Sequence, residues 1–162
     1  MKTLQFAALY FIFLLGTMPI PASAQPYVIS TDGSEATDQK TGLIWRRCAE
    51  GMVFSGGTCT GSASVFTHPA ALQHAVAQAG NTGIAWRLPN VKELSSIADK
   101  SLFSPSIDPA AFPGTPVRLY WSASPVVGDS SSAWLVDFSV GLVHSGYLRS
   151  VANCVRLVRA GQ

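Results

Sequence analysis

Charge is scarce in this chain. Asp, Glu, Lys and Arg make up 12% of its 162 residues, and the formal net charge is +2. Binding nucleic acid in general needs a strong basic field, so the balance argues against that class. Histidine is scarcer still. His68, His74 and His144 are the only three, and no His-x-x-x-His or Cys-x-x-Cys occurs. The spacings that hold a transition metal are therefore missing. Calcium needs oxygen-rich clusters, and Asp32-Gly33-Ser34-Glu35 with Asp38 reads better as turn residues. Gly-x-Ser-x-Gly and Ser-x-x-Lys are also absent, which leaves nucleophilic catalysis without a signature. No cofactor and no metal site is expected.

The first residues read as a leader. Lys2 gives a positive start, Leu4 to Leu15 is apolar apart from Gln5, and Ala22-Ser23-Ala24 is a small-residue cleavage site. The apolar run is too short to span a bilayer comfortably, since that takes about 20 residues. We expect residues 1–24 to be a signal peptide and 25–162 to be one domain. The product is then periplasmic, extracellular or at the cell surface, with no membrane span. Removing Lys2 lowers the formal charge to +1.

Export permits disulfides. Cys48 and Cys59 enclose a Gly-rich segment suited to a hairpin, and we expect them to be bridged. Cys154 lies in an apolar run and reads as a buried free thiol. Its pairing with Cys48 or Cys59 stays open at this level.

Periodicity predicts a first strand at Tyr27–Thr31, a hairpin over 37–46 and a short strand at Met52–Phe54. A helix over Ala70–Ala79 is capped by Thr67 or His68, has Pro69 in its first turn and stops at Gly80-Asn81. Its apolar stripe is Leu72, Ala75, Val76 and Ala79. A second helix opens at Asn90, where Glu93 completes a capping box, and runs to about Asp99. Residues 101–119 carry four prolines and form a long irregular loop, ordered by Phe103, Ile107 and Phe112. Strands follow at 120–124, 133–138, 142–148 and 151–158, with a polar turn at 128–132. The class is α+β, with two helices, antiparallel strands and a long loop.

Four segments in order carry a family resemblance. They are Asp38-Gln39-Lys40-Thr41-Gly42-Leu43-Ile44-Trp45-Arg46-Arg47-Cys48, Trp86-Arg87-Leu88-Pro89-Asn90-Val91-Lys92-Glu93-Leu94, Tyr120-Trp121-Ser122-Ala123-Ser124 and Val155-Arg156-Leu157-Val158-Arg159. Together they resemble the bacterial DUF1566 family, also called the Lcl C-terminal domain after a collagen-like adhesin, over Val28 to Arg159. The resemblance implies adhesion and glycosaminoglycan binding. The segment at Arg87-Leu88-Pro89 also looks like a helix start in formylglycine-generating enzymes, which implies a C-type-lectin-like fold. The acid–amide motifs of calcium-dependent lectins are missing, because Leu88-Pro89-Asn90 has no acid before the proline and Trp121 is followed by Ser122. The cysteine pair of the formylglycine-generating chemistry is missing as well.

The expected function is therefore an exported, non-catalytic recognition module for an anionic polysaccharide. Alternatives are an enzyme of the formylglycine-generating type and a structural envelope protein with protein partners. The expected surface is the 101–119 loop with the 125–132 turn, because rigid scaffolds carry function on loops. Arg118, Tyr120 and Asp129 are its candidate ligand-binding residues. Of the tryptophans Trp45, Trp86, Trp121 and Trp134, at least three should be core.

Overall fold

The computed structural model describes residues 26–161. The leader expected over 1–24 lies outside the described residues. The elements are β1 (Tyr27–Ile29), β2 (Glu35–Asp38), β3 (Leu43–Arg46), β4 (Val53–Ser55), β5 (Thr58–Thr60), β6 (Val65–Phe66), α1 (His68–Thr82) and α2 (Val91–Ser96), followed by β7 (Leu119–Val126), β8 (Asp129–Asp137), β9 (Leu142–Leu148), β10 (Asn153–Cys154) and β11 (Val158–Ala160).

Two main sheets result. One has the order β1-β2-β3-β11 and the other β6-β10-β7-β8-β9, while β4 and β5 form a separate hairpin. The class is α+β, with mostly antiparallel pairing. The exception is β10 with β7, which run parallel. The expected single strand over 151–158 is divided. Asn153–Cys154 joins the five-stranded sheet and Val158–Ala160 the four-stranded one, with 155–157 crossing between them. The continuous apolar alternation of that run contains no sign of the switch.

Alternation along β7 and β8 sends side chains to both faces of the larger sheet. Trp121, Leu135, Val155 and Leu157 pack with Ala71 and Ala75 of α1 on one side. Tyr120, Val136 and Phe138 pack with Leu94, Ile97, Ile107 and Phe112 on the other. Trp45, Trp86 and Trp121 are buried and Trp134 is half-buried, so three tryptophans are core as expected.

Helix α1 begins where Pro69 predicts, with Thr67 at the N-cap position but no side-chain cap bond. It runs through Gly80 and ends at Gly83, whose left-handed φ of 68° lets its N–H reach the Ala79 carbonyl. Its packed side is His68, Ala71 and Ala75, and Val76 is 73% exposed. The predicted stripe is thus rotated. Two alanines allow close approach to the sheet, and the larger Leu72 and Val76 stay outside.

Helix α2 has the predicted capping box. Asn90 Oδ1 accepts from Glu93 N–H at 2.9 Å, and Asn90 N–H donates to Glu93 Oε2 at 2.8 Å. It is shorter than expected and stops at Ser96. Ala98 then bridges Ile107, and the Asp99 carboxylate accepts from the Ser101 N–H and hydroxyl.

The long loop is ordered, but only partly by the expected residues. Ile107 and Phe112 are fully buried, whereas Phe103 is 72% exposed. Two buried arginines do the rest. Arg47 donates to the carbonyls of Ala111 (2.7 Å), Ala110 (2.7 Å) and Gly33 (2.9 Å). Arg156 donates to Thr115 Oγ1 at 2.8 Å and to the carbonyls of Arg46 and Arg47, and lies over the Phe112 ring. Gly114 lets the loop press on the disulfide hairpin. A Cβ there would stand 2.6 Å from the Cys59 carbonyl oxygen. Cys48 and Cys59 are bridged and Cys154 is free and buried.

Candidate functional site

The cleft with the richest mixture of chemistry has a volume of about 440 Å³ and lies between β2, the end of β3, the disulfide hairpin and the segment after α1. Its polar wall is Asp32, Ser34, Glu35, Arg46 and Glu50, and its apolar wall is Met52, Val53, Ile84 and Trp86.

Strand alternation builds the polar wall. Arg46 and Arg47 are consecutive, so one side chain turns to the cleft and the other to the interior. Arg46 Nη1 donates to both oxygens of Glu50 at 3.0 Å. The same carboxylate meets His74 Nε2 at 2.6 Å, and the His74 ring stacks on Phe66. Arg159, three residues beyond Arg156, reaches Glu35 at 2.7 Å. Trp86 lies between the two systems, with the Arg46 guanidinium 4.9 Å from its ring centre and that of Arg159 at 5.4 Å. Asp32 stands at the rim. Hydroxyls of Ser30 and Ser34 donate to it and pull its pKa down to about 2, so it is ionised at neutral pH.

Every carboxylate side chain in the sequence has a defined partner. The three glutamates are in ion pairs, since Glu93 holds Arg87 at 2.7 Å. Arg87 keeps the Glu93 carboxyl below its ordinary pKa. All six aspartates hold turns. In Asp32-x-Ser34, Asp99-x-Ser101, Asp129-x-Ser131 and Asp137-x-Ser139 the carboxylate accepts the N–H two residues on. Asp38 does the same for Lys40, and Asp108 for Ala110.

That pattern corrects the expected binding surface. Asp129 anchors the β7–β8 hairpin through Ser131, with Val127-Gly128 as its tip. Tyr120 is fully buried, edge-on to Phe138, and its hydroxyl meets the Pro116 carbonyl at 3.4 Å. Burial pushes its pKa up. A side chain with no exposed surface cannot meet a ligand. Arg118 is exposed and has no carboxylate partner among the described residues. It also precedes β7, while Asp129 pairs with the far end of that strand. At strand rise the two stand roughly 25 Å apart. The three residues do not form one site. The cleft residues Glu35, Arg46, Glu50 and Trp86, with Arg159 held by Glu35 beside them, come from four separate segments, so no local motif marks them as one site.

The family model of the Lcl C-terminal domain matches residues 34–159. The chain belongs to the Lcl C-terminal domain family. The match takes in β2 through β11 and so includes nearly all of the cleft, with Asp32 just outside it. No curated protein and no solved structure matches the chain. Among the described residues, no three His, Cys, Asp or Glu side chains gather as a metal-ligand set, and no helix is long and apolar enough to cross a membrane.

Proposed function

We propose that this Lcl C-terminal domain is an exported, non-catalytic recognition module with a C-type-lectin-like arrangement, and that it binds a glycan in the cleft beside Trp86. The observation that carries the reading is the pre-satisfied polar wall. Glu50 is held by Arg46 and His74, and Glu35 by Arg159. Groups fixed in this way present oriented hydrogen-bonding edges to hydroxyls at little ordering cost. Opposite them, Met52, Val53 and Ile84 offer apolar surface to the C–H face of a sugar ring. The wall holds no unengaged base beside a nucleophile, which favours recognition over the formylglycine-generating alternative.

The polysaccharide class is acidic. Lys40, Lys92, Lys100 and Arg118 are exposed and have no carboxylate partner among the described residues. These cations lie outside the cleft lining. They supply a long-range, salt-sensitive attraction while the cleft selects the sugar. Buried Arg47 and Arg156 take no part.

A glycan array of the protein without residues 1–24 tests the reading. Binding to acidic chains should fall as salt rises, and Glu35→Gln should reduce it. Passage straight through a heparin column at low salt would remove the acidic class. Unchanged array binding in Glu35→Gln would remove the cleft.

One observation favours a protein partner as a second reading. The edge strand β9 carries no Asp, Glu, Lys or Arg, and Leu142, Val143 and Leu148 are exposed on it. Edge strands usually carry charge or proline to prevent pairing. Val143→Lys would abolish such a contact and leave glycan binding unchanged.

A further inference from the structure

The long loop over 101–118 lines no part of the cleft, yet two of its contacts reach the cleft walls from behind. The first runs through Arg47, which is 6% exposed and meets no carboxylate among the described residues. Its fork divides between two segments. Nε and Nη2 donate to the Ala111 and Ala110 carbonyls, each at 2.7 Å, and Nη1 donates to the Gly33 carbonyl at 2.9 Å. The guanidinium lies 4.7 Å from the Phe54 ring centre. The second contact is that of Gly114 with Cys59, the residue paired with Phe54 across the β4–β5 hairpin.

Gly33 and Phe54 belong to two sides of the cleft. Gly33 lies between Asp32 and Ser34, which line the rim, and Phe54 lines the hairpin wall. The two meet directly, since a Cβ at Gly33 would strike the Phe54 ring. The φ of Gly33 is 73°, a left-handed value that glycine adopts readily. The Arg47 N–H adds a bond to the Ser34 carbonyl at 3.0 Å. Rim and wall thus share one support, and two N–H···O bonds tie that support to the loop. A guanidinium is a rigid planar fork, so its ends cannot move independently. Lysine keeps the charge but lacks the fork.

We propose that Arg47 is a positioning residue of the cleft, which sets the Asp32–Ser34 rim against the Phe54 wall and refers both to the long loop. A change in the loop at Ala110 and Ala111 is then felt at the binding surface. Arg47 touches no ligand and adds nothing to the long-range attraction. Its importance for binding rests on the glycan reading above, whereas the link between loop and cleft does not. Asp108 gives access to the far end of that link. Its Oδ1 accepts from the N–H of Ala110 at 2.8 Å and of Ala111 at 3.4 Å, and so holds the turn that presents both carbonyls. Asp108 lies outside the cleft lining.

NMR of the ¹⁵N-labelled protein tests the link through a double-mutant cycle of Asp108→Ala and Arg47→Lys. Asp108→Ala should shift the backbone signals of Asp32, Gly33 and Phe54 and leave those of β9 in place. In the Arg47→Lys background the same change should add no shift at those three residues. Shifts confined to 105–112, or shifts that reach Gly33 and Phe54 equally without Arg47, would overturn the proposal. The Arg47 Nε–H signal needs no Arg47 variant. It should move in Asp108→Ala, and a fixed signal would overturn the proposal even if Arg47→Lys fails to fold. Heparin is the binding probe. Arg47→Lys keeps the net charge and should weaken heparin binding about fivefold or more, the lower end of ordinary coupling between sites. Unchanged heparin affinity in Arg47→Lys would overturn the positioning role. Absence of heparin binding in the unaltered protein would instead remove the acidic-glycan reading, and the NMR cycle would still decide the link.

Discussion

The cleft and the interior beneath the long loop are built from the same residue type and use it in opposite ways. At the cleft, Arg46 meets Glu50, and Arg159 beside it meets the cleft residue Glu35. In the interior, Arg47 and Arg156 meet main-chain carbonyls, aromatic faces and one hydroxyl. Each region takes one arginine from the 46–47 pair and one from the 155–159 strand region. Chain position alone does not separate the roles. The difference lies in what the guanidinium satisfies. A loop of 101–118 cannot pair its own carbonyls as a sheet does, and buried carbonyls need donors. Arginine brings five N–H groups in a rigid fork. The interior arginines therefore act as stitches for irregular backbone, while those of the cleft hold a polar surface in shape.

The largest expected effect comes from Arg156→Ala. It leaves two carbonyls and Thr115 Oγ1 without their donor and opens a cavity beneath Phe112. A loss of about 3–5 kcal/mol is expected in urea unfolding. Arg159→Ala should cost about 1 kcal/mol or less, because its pair with Glu35 is partly solvated. Similar losses for the two variants would break the contrast.

Arg47→Ala is expected to cost about 2–4 kcal/mol, by the same orphaning of carbonyls. It should also raise hydrogen exchange or protease cutting across 101–118. Arg46→Ala should leave that loop protected. Loop protection that is unchanged in Arg47→Ala would mean that Ile107 and Phe112 alone order it.

A smaller loss, about 1 kcal/mol, is expected for Asn90→Ala, because one cap bond to the first turn of α2 goes. A thermal melt measures it, and an unchanged midpoint would show that the cap contributes nothing.

The smallest effect concerns pH. His68 is buried, and its Nε2 lies 3.0 Å from the Ser122 carbonyl, so the neutral ring donates there. Burial lowers its pKa below the ordinary 6.5, and nearby Arg149 adds to that. The unfolded chain then takes up the proton first. Stability from this group is present above pH 6.5 and is lost as pH falls from there through the folded value. His68→Gln should flatten that part of the stability–pH curve, and an identical slope would exclude His68 as its source.

What was legible in the sequence was what local chemistry determines. The Asn90–Glu93 box, the Cys48–Cys59 hairpin and the strand over 142–148 depend on neighbours a few residues away, whereas the run 151–158 divides between two sheets. The packed face of α1 differs from the periodic one because helical periodicity favours the largest apolar residues, whereas the sheet surface selects Ala71 and Ala75. The expected ligand residues failed for a related reason. Tyr120 and Asp129 have suitable chemistry, but long-range packing claims the first and a serine two residues away claims the second. The repeated Asp-x-Ser pattern is local and marks Asp129 as a turn residue. Nothing local could show that Arg47 would bond to Ala110 and Ala111, more than sixty residues on.

The divided segment that ends the meander has a kinetic consequence. Cys154 pairs with Val65 and Tyr120 in one sheet, and Val158 pairs with Trp45 in the other. Residues 153–160 thus act as a shared clasp, and loosening it opens both sheets at once. Unfolding should be a single cooperative event, with equal calorimetric and van't Hoff enthalpies. Refolding must first bring together backbone more than a hundred residues apart, as the Arg156 contact with Arg46 already shows. Such closure makes folding slow for a chain of this size, on the order of milliseconds to seconds.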